Sequence, residues 1–342
     1  MPPAKSRKPR LALIGPDSLQ GKEVLGVLAA KKFPLASLEI FDPEVEEEYS
    51  KLGSFRGEAK VVHALTPAAL EGLDLVFLAA DEKTNRRYGG LAAEKDYIAL
   101  DLGETFNGDP KVPVIVAGVN DAGLRRAKPP LIANPHPAAI VLSHLLAGLR
   151  AGFGDVRAVA FVLEPVSAYA EEGIQELAEQ SYALLGSSAM PKKIFPEQVA
   201  FNLLTRTAKP DKNGFSPLEN RVSAEIGRIL GDGKVPLSLS IVLAPVFHTF
   251  SIMVHAELGR DAAAADVETC LKTNDIFRLA PAGEAGTVSP VSVAGKDRIH
   301  LGPVRKDPAA DRGFWLWAVA DNLTVGSGLN AYGIARALFG GD

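Results

Sequence analysis

The chain has 342 residues, enough for two ordinary domains, and its 47% hydrophobic and 23% charged residues exclude a disordered or fibrous protein. A net charge of −4 gives no support to a nucleic-acid groove or to binding at an anionic membrane surface. The single cysteine, Cys270, excludes an intrachain disulfide framework and suits a reducing cytoplasm.

Residues 1–9 are basic and read as a frayed tail, and the apolar run after them, LALIG, is too short for a signal sequence or a membrane span. RLALIG (10–15) is apolar without alternation, which predicts a buried parallel strand. KEVLGVLAAKKF has helical spacing, LEIFD (38–42) reads as a second strand, and the acidic stretch 43–52 as a solvated loop. LDLVFLAA (73–80) and YIALDLG (97–103) predict further strands, with a helix over NRRYGGLAAEKD between them. VPVIVAGV (112–119) and LIANP (131–135) continue the strand pattern. Strands and helices alternating at this spacing imply a doubly wound α/β sheet.

After Pro137 the pattern changes. AAIVLSHLLAGLRAGF reads as one long helix, while RAVAFVLEPVS (157–167), LSLSIVLAPV (237–246), FSIMVHAEL (250–258) and FWLWAVADNL (314–323) read as longer strands, several alternating with period two. That predicts a mixed or antiparallel sheet with helices on one face, an α+β domain. LNAYGIARALFG (329–340) closes the chain as a helix. The expected division is 1–135 and 136–325, with 326–342 returning to the first domain. No internal repeat is present.

Six segments in this order carry a resemblance. IANPHPAAIVL, EPVSAYAEEGIQEL, AFNLLTRT, NGFSPLENRVSAEIGRIL, APVFHTFSIMV and DNLTVGSGLNA resemble successive landmarks of the aspartate-semialdehyde dehydrogenases, from about Arg10 to the C-terminus. The resemblance implies a Rossmann-type NAD(P)-binding domain, and a dimerising α+β domain of the semialdehyde dehydrogenase and glyceraldehyde-3-phosphate dehydrogenase type. It also implies a homodimer or a tetramer, of which the homodimer is the expectation taken here.

The family's reaction uses a cysteine thiolate, a strong nucleophile and good leaving group, to attack an aldehyde. In the family that cysteine follows Asn-Pro-Asn. Here Asn134 and Pro135 remain, His136 follows, and Pro137 stands at the nucleophile position. Proline supplies no nucleophile but suits the first turn of a helix. The family's histidine is replaced by Phe250, its substrate-holding arginine by Leu243, its phosphate-holding arginine by Asn107, and its glutamine by Glu164. Leucine and asparagine cannot copy the two-point grip of a guanidinium. His248, two residues before Phe250, would share its face if both lay on one strand. Glu219 matches an acidic residue of the substrate helix, and Arg221 replaces a lysine there.

GPDSLQG (15–21) stands where the dinucleotide turn belongs. Gly15 and Gly21 keep the outer glycines, Ser18 replaces the middle one, Pro16 removes an N–H donor, and Asp17 adds negative charge. Ser18 is suited to cap a helix beginning near Gln20. Asp42 stands where an acid takes the ribose hydroxyls of NAD, and with Glu44, Glu46, Glu47 and Glu48 it disfavours a 2′-phosphate. Asn330 matches an asparagine near the nicotinamide, or caps the last helix. NAD held weakly, and no cofactor, both stand as readings. Cys270 reads as a core or surface residue, and His63, His144, His255 and His300 show no metal-ligand spacing. No metal site is proposed.

The expectation is a cytoplasmic, dimeric binding or regulatory protein of this family, without its catalytic cysteine, histidine and arginines. The alternative is an NAD-dependent oxidoreductase of altered chemistry that uses His136, His248 or Glu164 as acid–base groups. An ordinary semialdehyde dehydrogenase under a different alignment is a third reading.

Overall fold

A computed structural model describes residues 7–46, 51–186, 189–205, 207–231, 235–281 and 288–340. The chain divides into two compact units, 1–136 with 327–342, and 137–326. The break falls between His136 and Pro137.

The first unit runs β1 (Arg10–Ile14), α1 (Leu19–Ala30), β2 (Ser37–Asp42), β3 (Lys51–Phe55), β4 (Glu58–Ala64), β5 (Leu75–Leu78), α2 (Glu82–Gly90), α3 (Ala92–Lys95), β6 (Ile98–Asp101), α4 (Leu124–Ala127) and β7 (Leu131–Ala133). Its sheet has the order β3-β4-β2-β1-β5-β6-β7, parallel throughout except for the β3–β4 hairpin. This is a doubly wound Rossmann-type sheet. Leu11 to Ile14 of β1 and all of β5 are buried, because helices cover both faces, and this is why both runs are apolar without alternation.

Two local expectations fail here. The reading of 43–52 as a loop overlaps the start of β3. The hairpin turns at Arg56 (φ 55) and Gly57 (φ 80), both left-handed, a conformation usually marked by Asn-Gly. Residues 112–119 form no strand beyond a single bridge between Val114 and Ala133. Side-chain amides take their backbone groups instead. Asn120 accepts from Val116 N (2.7 Å) and donates to Val114 O (2.9 Å), and Asn330 accepts from Ala117 N (2.8 Å) and donates to Ile115 O (2.9 Å). A segment satisfied this way needs no ladder.

The second unit runs α5 (Pro137–Phe153), β8 (Val156–Glu164), α6 (Ala170–Gly186), α7 (Pro217–Leu230), β9 (Leu237–Leu243), β10 (Phe250–Leu258), α8 (Ala264–Lys272), β11 (Phe277–Leu279), α9 (Pro290–Val293), β12 (Ile299–Leu301), β13 (Arg305–Lys306) and β14 (Gly313–Ala320). Its mixed sheet has the order β11-β12-β14-β10-β8-β9, with β13 beside β14. α5 packs on β8 and β10. Ala158, Ala160 and Val162 of β8 are buried, whereas Val159 and Phe161 of the opposite face are 54% and 43% exposed.

A π-helical turn over 324–329 leads into α10 (Asn330–Phe339), which returns to the first unit and packs on α1 and α4. No helix among the described residues is long and apolar enough to cross a membrane.

Candidate functional site

In the first unit the glycine turn is formed. Gly15 has φ 86, and a Cβ there would lie 2.6 Å from Ala79 O; a Cβ on Gly21 would lie 2.2 Å from Gly15 O. No larger residue fits either place. Ser18 caps α1. Its hydroxyl accepts from Gly21 N and donates to Gly15 O, both at 3.0 Å, so it stitches the turn closed on itself.

Asp42, at the end of β2, is already engaged. Oδ1 accepts from Glu44 N at 2.9 Å, and Oδ2 accepts from Lys51 Nζ at 2.7 Å. The same ammonium hydrogen-bonds Asp17, and these two carboxylates hold the Lys51 pKa well above its ordinary value. Lys51 thus ties the glycine turn to the end of β2. Glu47 and Glu48 of the acidic stretch lie outside the described residues. A dinucleotide would have to displace Lys51 before Asp42 could receive its ribose, and Pro16 offers its phosphates no N–H. As placed, these residues do not fit that cofactor.

Three asparagines knit the segment leading to Pro137. Asn107 Nδ2 donates to Asn134 O (3.2 Å), and Asn330 Nδ2 donates to Asn134 Oδ1 (2.8 Å). With its bonds to Ala117 and Ile115, the Asn330 amide is spent on the protein itself. Asn330 is also the first residue of α10, following the π turn, with Leu329 at the cap position. Its side chain accepts from Ala117, so it does not act as the helix cap. Asp101 is buried at the end of β6 and accepts from Gly103 N (3.0 Å) and Phe106 N (2.9 Å), fixing the loop that carries Asn107. Burial raises its carboxyl to about 6, against those two backbone donors.

In the second unit Pro137 is the first residue of α5. Leu243 ends β9 and exchanges two backbone hydrogen bonds with Leu204. At 1% exposure it lies in an apolar cluster with Val166, Leu177, Phe195 and Val199. Phe250 is buried at the start of β10. His248 is not on that strand. It lies in the bend before β10, and Thr249 between them has a left-handed φ of 78, so the shared-face argument does not apply. Asn322 pins this bend, accepting from Thr249 N at 3.0 Å and donating to Ser167 Oγ at 3.0 Å.

Glu164 is buried beside Leu243 in the sheet. The Tyr169 hydroxyl lies 3.3 Å from its Oε2 and 3.1 Å from Thr207 Oγ1. Burial, then the Glu164 charge, pushes the Tyr169 phenol well above its usual range. Glu219 forms a capping box with Ser216 and accepts from Ile241 N at 2.9 Å. Burial works against its charge, but the hydrogen bonds from Ser216, Ile241 and Ser240 hold its carboxyl below the usual value. Its visible work is to start α7 and dock it on β9. Arg221 Nε stands 3.8 Å from Glu225, one turn along α7.

Cys270 lies on α8, its Sγ 3.5 Å from Gly148 O, and burial raises its thiol. Gly148 is eleven residues along α5 from Pro137, about 16 Å at the rise of an α-helix. His255 pairs with Asp307 at 2.8 Å, and its ring lies tilted against that of Trp315, 4.8 Å between centroids. Among the described residues no group of His, Cys, Asp and Glu could hold a metal.

Sequence reasoning missed Lys51, Tyr169, Thr207, Asn322 and Asp101. Asp101 had a usable signal, a carboxylate closing an otherwise apolar strand. Lys51 had none, because its partners lie 34 and nine positions away.

A Rossmann-type unit followed by a mixed-sheet unit, with the last helix returned to the first, defines a two-domain class of Rossmann-type and α+β units. Family profiles agree: residues 10–127 match the semialdehyde dehydrogenase NAD binding domain and 146–325 the semialdehyde dehydrogenase dimerisation domain. The chain belongs to the semialdehyde dehydrogenase family. It is 28% identical to the aspartate-semialdehyde dehydrogenase of Rickettsia bellii over 97% of this chain and 98% of that protein. It is 27% identical to that of Aquifex aeolicus over 96% and 97%. Among solved structures, aspartate semialdehyde dehydrogenase II from Vibrio cholerae, complexed with ASA, superposes with TM-score 0.87 at 26% identity, covering 97% of this chain and 98% of that one. A probable aspartate-semialdehyde dehydrogenase from Pseudomonas aeruginosa gives TM-score 0.87 at 28% identity with the same coverage.

Proposed function

We propose that this chain is a non-catalytic member of its family, a cytoplasmic homodimer that acts as a binding or regulatory protein. The observation that carries the reading is Pro137 as the first residue of α5, where the resemblance places the nucleophile. The one cysteine cannot replace it from about 16 Å away along that helix. Leu243 and Phe250 agree, since both are built into the core where the family has a guanidinium and an imidazole. Lys51 supports weak or absent dinucleotide binding, because it neutralises the acid that would receive the ribose.

The homodimer reading rests on the second unit's sheet. Val159 and Phe161 stand exposed on the face opposite α5, an apolar surface suited to a second copy. Light scattering is expected to give twice the mass of one chain at micromolar concentration, and a monomer would refute it.

The catalytic test is an assay with aspartate semialdehyde, phosphate and either NAD or NADP. No turnover is expected. Turnover that survives both Cys270→Ser and His248→Ala would overturn the reading. Turnover lost in His248→Ala would favour the alternative, an oxidoreductase of altered chemistry, for which the buried Glu164 with the half-buried Tyr169 and Thr207 beside it is the supporting feature. A calorimetric titration with NAD completes the test. A Kd below about 10 µM would contradict the assignment of Lys51.

A further inference from the structure

The first unit carries a half-open pocket of about 410 Å³ between α1 and the β3–β4 hairpin. That volume falls in the range of about 300–1,000 Å³ common for small-ligand sites. Leu25, Ala29, Ile40, Leu52, Phe55 and Val62 supply its apolar walls.

Two glycines also line it, Gly26 inside α1 and Gly53 inside β3. Glycine weakens the interior of a helix or a strand. A Cβ on Gly26 would meet no atom within 4 Å, so sterics do not demand glycine there. The missing side chain leaves part of the pocket empty. At Gly53 a Cβ would come within 3.3 Å of Val62, so the wall there is already close-packed.

Charged side chains rim this apolar space. Lys22, Lys51 and Arg56 line it, against the single carboxylate of Asp17. Lys51 is taken up by Asp17 and Asp42. Arg56 is held differently. Its Nη2 donates to Phe33 O at 2.6 Å and Leu28 O at 3.4 Å, and its guanidinium lies over the Phe55 ring at 5.0 Å. These bonds fix the plane of the guanidinium while using one of its nitrogens. The remaining N–H groups suit a carboxylate.

We propose that this pocket binds a small aryl carboxylate, with its ring against Leu25, Ile40 and Phe55 and its carboxylate on Arg56. The chemistry calls for both parts, because the walls favour an apolar body and the Arg56 guanidinium an anion. The site lies between α1 and the hairpin, shares Pro16, Asp17, Lys22 and Lys51 with the surroundings of the glycine turn, and does not depend on whether the chain catalyses a reaction.

Calorimetric titration of the full chain with naphthalene-2-carboxylate tests it, with 2-naphthylmethanol as the neutral counterpart. The acid is expected to bind with a Kd of about 100 µM or better, and at least about tenfold more tightly than the alcohol. Gly26→Leu fills the space and should weaken both ligands by about tenfold or more. Arg56→Gln should weaken the acid by about tenfold and leave the alcohol unchanged. Leu52→Glu, at a position 69% exposed and so harmless to folding, should also weaken the acid and decides the matter if either other variant misfolds. No binding of the acid up to about 1 mM, equal binding of acid and alcohol, or an unchanged Kd in Gly26→Leu or Leu52→Glu would each overturn the proposal.

Discussion

Asn330→Ala separates two roles that the family resemblance leaves entangled. In the structure the Asn330 amide makes three hydrogen bonds, to Ala117 N, Ile115 O and Asn134 Oδ1, at 2.8, 2.9 and 2.8 Å. It is buried, so truncation strands a backbone N–H, a carbonyl and a side-chain oxygen away from ready solvation. Each stranded group costs about 1–3 kcal/mol. The costs do not add fully, because a water can enter the vacated space, and a total of about 3 kcal/mol is expected. The direct assay is amide hydrogen exchange at Ala117, whose N–H loses its acceptor, with calorimetry of the whole chain alongside. About 3 kcal/mol corresponds to exchange faster by about 100-fold. Asn330→Asp keeps an acceptor for Ala117 but loses the donor to Ile115 and Asn134, so protection of Ala117 should fall less than in the alanine variant. An unchanged Ala117 amide, with a loss of stability under about 1 kcal/mol, would refute the reasoning. Asn330 would then be free for a ligand after all.

Pro137→Cys should yield a thiol that alkylates readily, since it starts a helix, but no semialdehyde oxidation; activity within about tenfold of an ordinary enzyme would show the rest of the site intact. Leu243→Arg should lower stability by about 3 kcal/mol or more, because it drives a charge among Val166, Leu177 and Phe195, and it should restore no activity; a melting temperature equal to wild type would refute the packing argument. Asp101 sets a pH dependence. Its folded carboxyl is raised to about 6 from an ordinary 3.8, so the fold favours the protonated form. That contribution is fully present below about pH 4 and is lost as pH rises through about 6. Asp101→Asn should flatten this part of the melting-temperature profile, and a profile identical to wild type between about pH 4 and 7 would exclude Asp101 as its source.

The parallel sheet and the long helix α5 could be read from the sequence because their signals are local, buried apolar runs and helical spacing. Leu243 and Phe250 stand where the resemblance implies a guanidinium and an imidazole, and a hydrocarbon side chain has no second chemistry to offer. His248 misled because strand periodicity was extended past the start of β10, into a bend that only the left-handed Thr249 reveals. The run 112–119 looks like a strand because Val112, Val114, Ile115 and Val116 are buried. What cancels the strand is an amide 213 positions downstream, that of Asn330, bonded to Ala117. Lys51 was invisible for the same reason. An ion bridge between a turn and a strand end is a property of the folded chain, and no spacing encodes it.

The proline that begins α5 also constrains a position far along the chain. A Cβ on Gly326 would lie 2.4 Å from Pro137 Cβ and 2.7 Å from its Cγ. While position 137 carries a Cβ, as every residue but glycine does, alanine at 326 is barred by contact alone. If position 137 first changes to glycine, the 2.4 Å contact is gone and alanine at 326 becomes admissible. Once that alanine is fixed, the ring cannot return without a clash. The pair therefore acts as a one-way gate on sequence drift, and the order of two substitutions decides whether the ancestry of this helix start can be retraced.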